Sequence, residues 1–423
     1  MRVLWIVNTP LRILGEKLNG YRESELWMGS LLDSFQIDSE HQIIVATTAA
    51  IKQTQRFEEN GIVYYALPGQ VPLLYRENDS NNISAWKKLL NDERPDIIQV
   101  WGTEFTHGLC ALRLAKEMCI PSVIYMQGYL GSIARHYLAG MTAKELHRNI
   151  TFRDVVKQDS IVQQQQQYLR SAEKEKEMFS LSGNIICEND WCENSIRAVV
   201  PNVNVYRCPL SINSVFSQKE WSLEKAEKHS LICTASGYPL KGLHMVLRAV
   251  ALLKKDYPDI KLYVPGDKMV SDGSLQWLIR KRGYTRYIEK LVKELDIEQN
   301  IVWMGTVTQE RLADQYSKTR AFVLSSSIEN HSSSLKEAMM VGVPSVASYV
   351  GGVPEYVHHG VNGFLYRFEE YEIMAGYIKQ IFDDDELSMR LSDSGRKGMI
   401  ALHGKNDIYQ NMKDIYQRVV GGN

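Results

Sequence analysis

Short apolar runs alternate with segments whose apolar residues recur every three or four positions, from one end of the chain to the other. In the first half, residues 3–7, 43–46, 62–66, 97–101 and 123–126 read as buried strands. Helices are predicted between them over 23–35, over 84–90 with Ser84 as N-cap, and over 107–118. The pattern restarts with strands at 231–234, 262–264, 301–304, 322–324, 345–347 and 363–366. Here Leu243, Val246, Leu247, Val250 and Leu253 make one helical stripe, and Ile373, Tyr377, Ile378 and Ile381 another. Strand–helix–strand alternation predicts parallel sheets covered on both faces, so the fold class is α/β with two doubly wound, Rossmann-like domains. The first is expected over 1–212 and the second over 213–403, joined near the polar stretch 209–227. A final amphipathic helix runs over about 407–420 through Ile408, Met412, Ile415 and Val419. One stretch, about 131–181, carries no strand signal and is expected to be a helical insertion in the first domain, its glutamine run 163–167 a solvated helix face.

Charge removes whole classes of function. Lys and Arg total 49 against 50 Asp and Glu, so the net charge of −1 leaves no basic excess for bulk nucleic-acid binding. No apolar run approaches the roughly 18 residues of a membrane span. The first residues, one charge followed by a short apolar run, lack the length and cleavage site of a signal peptide and read as a strand. Six cysteines without CxxC spacing read as free thiols in a reducing compartment, so a cytoplasmic protein is expected.

The segment with most chemistry is 325–340. A strand runs into a loop of hydroxyls, and a helix opens near Ser333 or Ser334. Unpaired amides and the helix dipole make such a junction an anion site. Glu329 precedes the turn and Glu337 lies one turn into the helix, where both can accept hydrogen bonds from sugar hydroxyls. The plainer alternative is that Ser332, Ser333 and Ser334 only cap the helix. After the strand 97–101 comes Gly102, then Glu104 and His107; His107 either touches an acceptor or caps the next helix. Asp383, Asp384 and Asp385 read as a surface turn that ends a helix, and His358 and His359, as helix neighbours, point apart. No metal site and no cofactor are expected, and without a GxGxxG after the first strand a nicotinamide enzyme is disfavoured.

Four motifs follow one another in the second half: Glu329 and Glu337, then Ala-Met-x-x-Gly-x-Pro-Ser-Val-Ala over 338–347, then Gly351-Gly352-Val353-Pro354-Glu355, then Gly360-x-Asn362-Gly363-Phe364. Together they resemble the donor-binding half of retaining GT-B glycosyltransferases, more narrowly glycosyltransferase family 4, and within it bacterial enzymes of capsule, O-antigen and exopolysaccharide synthesis. The likeness extends to Pro95-Asp96-Ile97-Ile98 with Gly102, to Lys241-Gly242, and to 301–305 with Gly305. It implies a metal-independent hexosyltransferase with a nucleotide-sugar donor in the second domain, an acceptor on the first, and the active site in the cleft between them. Glu337 would grip the ribose hydroxyls, and Glu329 would lie by the donor sugar with Asn330. Amides of Ser333 and Ser334, beside Ser332, would hold the distal phosphate, and Lys241 would pair with the diphosphate. Gly20 would sit in a glycine-bearing loop between first strand and first helix, letting backbone approach the ligand. Glu104 and His107 are the acceptor candidates, and the last residues, 404–423, would cross back to the first domain. The acceptor would be a saccharide, in such pathways a lipid-linked one, with any membrane contact weak and peripheral.

Two departures qualify the likeness. The family's arginine five positions before its lysine is here Ser236, and its histidine after the fifth strand is here Gln127, which cannot act as a general base near neutral pH. Gln127 would then orient a sugar group while the donor phosphate takes the acceptor proton. The competing readings are a non-catalytic GT-B protein that binds a nucleotide sugar or a partner, and a GT-B nucleotide-sugar epimerase.

Overall fold

The computed structural model describes residues 1–20, 26–37, 40–69, 80–105, 107–210, 212–235, 237–271, 273–403 and 407–422. Two compact units emerge: Met1–Gly131 with Tyr168–Ser211 and Asn406–Asn423, and Ser132–Gln167 with Ile212–Lys405.

The first unit is built on an eight-stranded sheet. Its strands are β1 Arg2–Ile6, β2 Gln42–Ala49, β3 Gln55–Glu59, β4 Ile62–Pro68, β5 Ile97–Trp101, β6 Ser122–Tyr125, β7 Asn184–Cys187 and β8 Asn204–Arg207. The order is β3-β4-β2-β1-β5-β6-β7-β8, and all neighbours are parallel except β3 against β4. Alternation along β1 sends Leu4 and Ile6 to one apolar layer and Val3, Trp5 and Val7 to the other, so both faces are buried. Helix Ile408–Gly421 covers the second layer with Met412, Ile415, Tyr416 and Val419. The Tyr416 hydroxyl accepts from Trp5 Nε1 at 3.0 Å and donates to Gln99 Oε1.

The second unit has a wholly parallel six-stranded sheet: β9 Glu227–Ile232, β10 Lys261–Pro265, β11 Ile301–Gly305, β12 Thr319–Leu324, β13 Ser345–Ser348 and β14 Phe364–Tyr366, in the order β11-β10-β9-β12-β13-β14. In each sheet the order reverses beside the first strand, at β1/β5 and at β9/β12. Crevices outside the carboxyl ends of strands form at such reversals.

Several expectations change. The polar edge strand β3 and the short strands β7 and β8 were not predicted, because Gln55–Glu59 has neither an apolar run nor clean alternation and β7 and β8 have four residues each. The stripe on helix Tyr371–Asp383 is Met374, Ala375, Ile378, Ile381 and Phe382, while Ile373 is exposed. The stretch read as an insertion in the first domain is helical but divides, and Ser132–Gln167 belongs to the second unit. The bonds that hold it there run from Tyr287 Oη to Glu145 Oε1 at 2.8 Å, between His244 Nε2 and the Ala139 carbonyl at 2.9 Å, and from Arg286 Nη1 to the Ile150 carbonyl at 3.0 Å. Gly20 closes an unpredicted helix, Ile13–Asn19, as its left-handed C-cap at φ 79°, so it follows the first helix and does not precede it.

Tyr416→Phe removes a hydroxyl with two buried partners, so the urea midpoint is expected to fall by the equivalent of about 1–3 kcal/mol. An unchanged midpoint would show that water or a local shift replaces the bond.

Candidate functional site

In the second unit, β9 and β12 are sheet neighbours, so the loops that follow them lie side by side. The loop after β9 turns through Pro239–Lys241, and helix Leu243–Leu253 begins after Gly242. Gly242 has φ 69°, and any Cβ there would strike the Ser325 carbonyl. The loops are stitched by Ser325 Oγ to the Lys241 carbonyl at 2.8 Å and by the Ser327 amide to the Leu240 carbonyl at 2.8 Å.

This placement brings Lys241 Nζ to 2.6 Å from Glu329 Oε1, which also accepts from Ser326 Oγ at 2.5 Å. Burial works against the Lys241 ammonium, but Glu329 and the surrounding groups outweigh it and raise its pKa. Glu329 is fixed from behind by Gly351, whose φ of 51° and lack of a side chain let its backbone press on the Glu329 carbonyl. The Gly352 amide donates to that carbonyl at 3.3 Å.

Helix Ser333–Val341 opens immediately after this loop, with Ser332 as N-cap, its Oγ accepting from the Leu335 amide at 3.4 Å. The Ser332 and Ser334 hydroxyls are 3.3 Å apart, Ser333 is exposed, and Asn330 is buried. Ser334 lines a small pocket together with Lys241, Glu329, Ser325, Ser326 and Cys233–Ala235 residues. The helix N-terminus thus adds positive potential beside the mutually neutralised Lys241–Glu329 pair. Glu337, on the first turns of the helix, is pushed up to about 7 by burial, against a smaller pull from Lys336. Gly305 ends β11 at φ 68°, and its carbonyl accepts from Gly266 at 2.9 Å. Ser236 lies outside the described residues.

In the first unit, β5 and β6 are neighbours whose ends carry Gly102 and Gln127. Gly102 has φ 75°, and its missing Cβ leaves room for the Glu104 carboxylate and for Gln127 Oε1, which would stand 2.7 Å from such an atom. Glu104 is raised to about 7 by burial, and its Oε2 has no partner among the described residues. Glu175 lies nearby at the core, accepting from Thr103 Oγ1 at 2.5 Å and from the Leu130 amide at 3.0 Å; burial lifts it to about 8, and the Glu104 charge adds to the rise. His107 is lowered to about 4 by burial, so it is a neutral imidazole inside the unit. It does not cap the next helix, Leu109–Glu117, whose N-cap is Gly108 without any side-chain bond.

The second unit thus gathers Lys241, Glu329 and Ser334 around one loop pair, with Ser332 capping and Glu337 carried by the helix that follows, while the first gathers Glu104 and Gln127 at another. Three participants were missed. Ser326 is one hydroxyl in a run of three; Lys336 is a buried lysine whose Nζ meets His331 Nδ1 at 2.7 Å; Glu175 sits in an alternating Glu/Lys run that reads as solvent-facing. The acidic triplet is engaged elsewhere: Asp383 accepts from Tyr257, Asp384 from the Leu387 amide, and Asp385 from the buried Arg320. His358 and His359 lie in a loop, not on a helix, and His359 Nδ1 accepts from the Leu365 amide at 3.1 Å.

Residues 216–398 match the family Glycosyl transferases group 1. N-acetyl-alpha-D-glucosaminyl L-malate synthase of Bacillus anthracis is 27% identical over 203 residues, 48% of this chain and 49% of the relative. D-inositol 3-phosphate glycosyltransferase of Streptomyces griseus is 34% identical over 155 residues, 36% of this chain and 31% of the relative. The chain therefore spans half or less of these curated relatives. Sucrose-phosphate synthase from Thermosynechococcus elongatus superposes with a TM-score of 0.73 at 17% identity, covering 100% of both chains. HepE from Anabaena, solved in complex with UDP-glucose, superposes with a TM-score of 0.61 at 14% identity, again over 100% of both. At these identities the likeness establishes the fold, which is GT-B with two Rossmann-like units, as the sequence predicts.

Glu337 carries a stability prediction. A carboxyl at about 7 when folded and near 4.5 when unfolded binds more protons in the folded state between those values, so its contribution falls as pH rises through that window. Glu337→Gln is therefore expected to match the wild type near pH 4 and to exceed it at pH 8 by roughly 1–3 kcal/mol. Thermal melts at both pH values check this, and a variant less stable at pH 8 would refute it.

Proposed function

We propose that this chain is a retaining glycosyltransferase of the family 4 type that moves a hexosyl group from a nucleotide-sugar donor to a saccharide acceptor. The observation that carries the reading is the Lys241–Glu329 ion pair set beside the N-terminus of helix Ser333–Val341, within the matched residues 216–398.

The chemistry follows from charge. When a glycosidic phosphate bond breaks, the sugar becomes cation-like and negative charge gathers on the departing diphosphate. A compact ammonium and a row of unpaired amides meet that charge without reorganising. Glu329 holds the ammonium in place beforehand and presents a carboxylate to the sugar. Glu337 accepts from ribose hydroxyls as a carboxylate. The likeness of HepE, solved with UDP-glucose, supports a nucleotide sugar as donor, and the name of the D-inositol 3-phosphate glycosyltransferase supports glycosyl transfer. In the first unit, Gln127 can orient a sugar hydroxyl and Glu104 can accept from one, while His107 is a buried neutral imidazole. Since Gln127 moves no proton, the donor phosphate takes the acceptor proton on the face it leaves, which retains configuration. The diphosphate is met by Lys241 and amides, so the reaction needs no metal. The pathway we favour is cell-surface polysaccharide synthesis on a lipid-linked acceptor, at the cytoplasmic side where nucleotide sugars and free thiols both persist.

Nucleotide diphosphate release from UDP-, GDP- and ADP-sugars, with and without lipid-linked saccharide, tests the reading. Acceptor-dependent release is expected from one donor class, and Lys241→Ala and Glu337→Ala are each expected to lose about 10²–10³ in kcat/KM. Tight binding without turnover would favour the non-catalytic reading, which the Gln127 amide motivates, and interconversion of donors without acceptor would favour an epimerase. The Glu337 protonation at about 7 adds a signature: donor KM should rise as pH falls from 8 to 6, approaching tenfold per unit below the pKa. Glu337→Gln should flatten that rise, and a profile unchanged in the variant would remove Glu337 from ribose binding.

A further inference from the structure

The densest run of exposed large apolar side chains among the described residues is on the short helix Phe152–Lys157 of the second unit. Phe152 is 81% exposed, Val155 65% and Val156 61%. Their spacing puts all three on one face. Ile279, 59% exposed, belongs to helix Leu275–Arg280, which contacts this helix. The short helix is firmly built. Thr151 and Asp154 form a reciprocal capping box, Asp154 is buried, and Gln158 ends the helix in the left-handed conformation at φ 50°. Its apolar face is therefore held toward solvent by its own framework.

Cations surround this face. Arg286 and Lys290 reach the backbone carbonyls of Ile150 and Arg148 at 3.0 Å and 3.4 Å. Of the nearby acids, Asp154 and Asp159 share Arg153, Glu289 pairs with Lys281, and Glu294 offsets part of the charge on Lys290. Arg148, Lys157, Arg280 and Arg282 form no ion pair among the described residues. The Lys290 ammonium is held below its ordinary value, first by burial and then by the charges of Arg286, Arg148 and Lys281, which together outweigh the opposing pull of Glu294. A chain of net charge −1 thus concentrates uncompensated positive charge around one apolar patch.

We propose that this face docks on a bilayer surface rich in anionic lipid, with Phe152, Val155, Val156 and Ile279 entering the headgroup boundary and the cations meeting the lipid charge. Apolar side chains ringed by Lys and Arg match an anionic interface, whose two components are an apolar boundary and a negative surface. A neutral protein partner would leave the cations without counter-charge. The inference deepens the proposal of a lipid-linked acceptor and needs neither donor nor turnover for its test.

The full chain is sedimented with vesicles of phosphatidylcholine alone and of phosphatidylcholine with an equimolar share of phosphatidylglycerol. Binding to the anionic vesicles only is expected, lost in high salt. The double variant Phe152→Ser/Val156→Ser should bind about tenfold more weakly, and Arg280→Ser/Arg282→Ser about fivefold more weakly per charge. Both should keep the wild-type melting profile and the wild-type rate on a water-soluble acceptor, which separates failure of docking from failure of the transfer reading. Equal binding to both vesicle types, no binding by the wild type, or full binding by both variants would overturn the proposal. So would a wild-type dimer that the apolar variant converts to monomer, since the face would then belong to a second copy.

Discussion

Lys241 and Glu329 are opposite charges drawn out of bulk water onto loops from adjacent strands, and much of the second unit's local architecture serves to keep them together. A buried pair is stabilising only when its geometry is good and its remaining bonding capacity is filled. Here Ser326 adds a second donor to the glutamate oxygen that meets the lysine, and two glycines set the geometry. Gly242 lets the lysine loop lie on the Ser325 carbonyl, and Gly351 lets the next loop lie on the Glu329 carbonyl. Either contact would be blocked by a single methyl. The glycine spacing of the segment is thus a set of clearance requirements around one ion pair.

The first unit solves a different electrostatic problem at its own sheet reversal. Glu175 is buried and Glu104 half-buried, neither with a cation partner among the described residues, and loss of solvation moves both toward the neutral form near physiological pH. Thr103 and the Leu130 amide satisfy Glu175, whereas Glu104 keeps one oxygen open beside Gln127 and Gly102. A carboxyl poised between charge states suits a hydroxyl-bearing ligand, which both donates and accepts. The two units therefore present chemically distinct ends: a compensated cation in one, and neutral or half-ionised acids in the other.

The second sheet, five strands of the first and the central loops were legible in the sequence because buried parallel strands leave dense apolar runs, and because glycines and hydroxyls at fixed offsets mark tight backbone approach. What was not legible depends on tertiary context. Glu175 belongs to a Glu/Lys alternation, yet Ala172, Met178 and Phe179 put its face in the core. Gly20 has a helix-ending role that only the unpredicted helix before it reveals. Residues 132–167 read as part of the first unit by chain order, whereas their polar contacts with Arg286, Tyr287 and His244 decide otherwise. Lys241 and Glu329 were each identified singly; that they neutralise each other could not be read from positions 88 residues apart.

That mutual neutralisation has a kinetic consequence. An unpaired buried ammonium would project its field well beyond the protein surface and draw anions in from a distance. With its counter-ion built in, the ion pair casts little net field, and a chain of net charge −1 adds no attraction of its own. A diphosphate bound here, as proposed above, would therefore not be steered from afar. It gains the lysine only on contact, by sharing it with or taking it from Glu329, so discrimination among anions falls at the last few ångströms of approach and capture is insensitive to bulk salt.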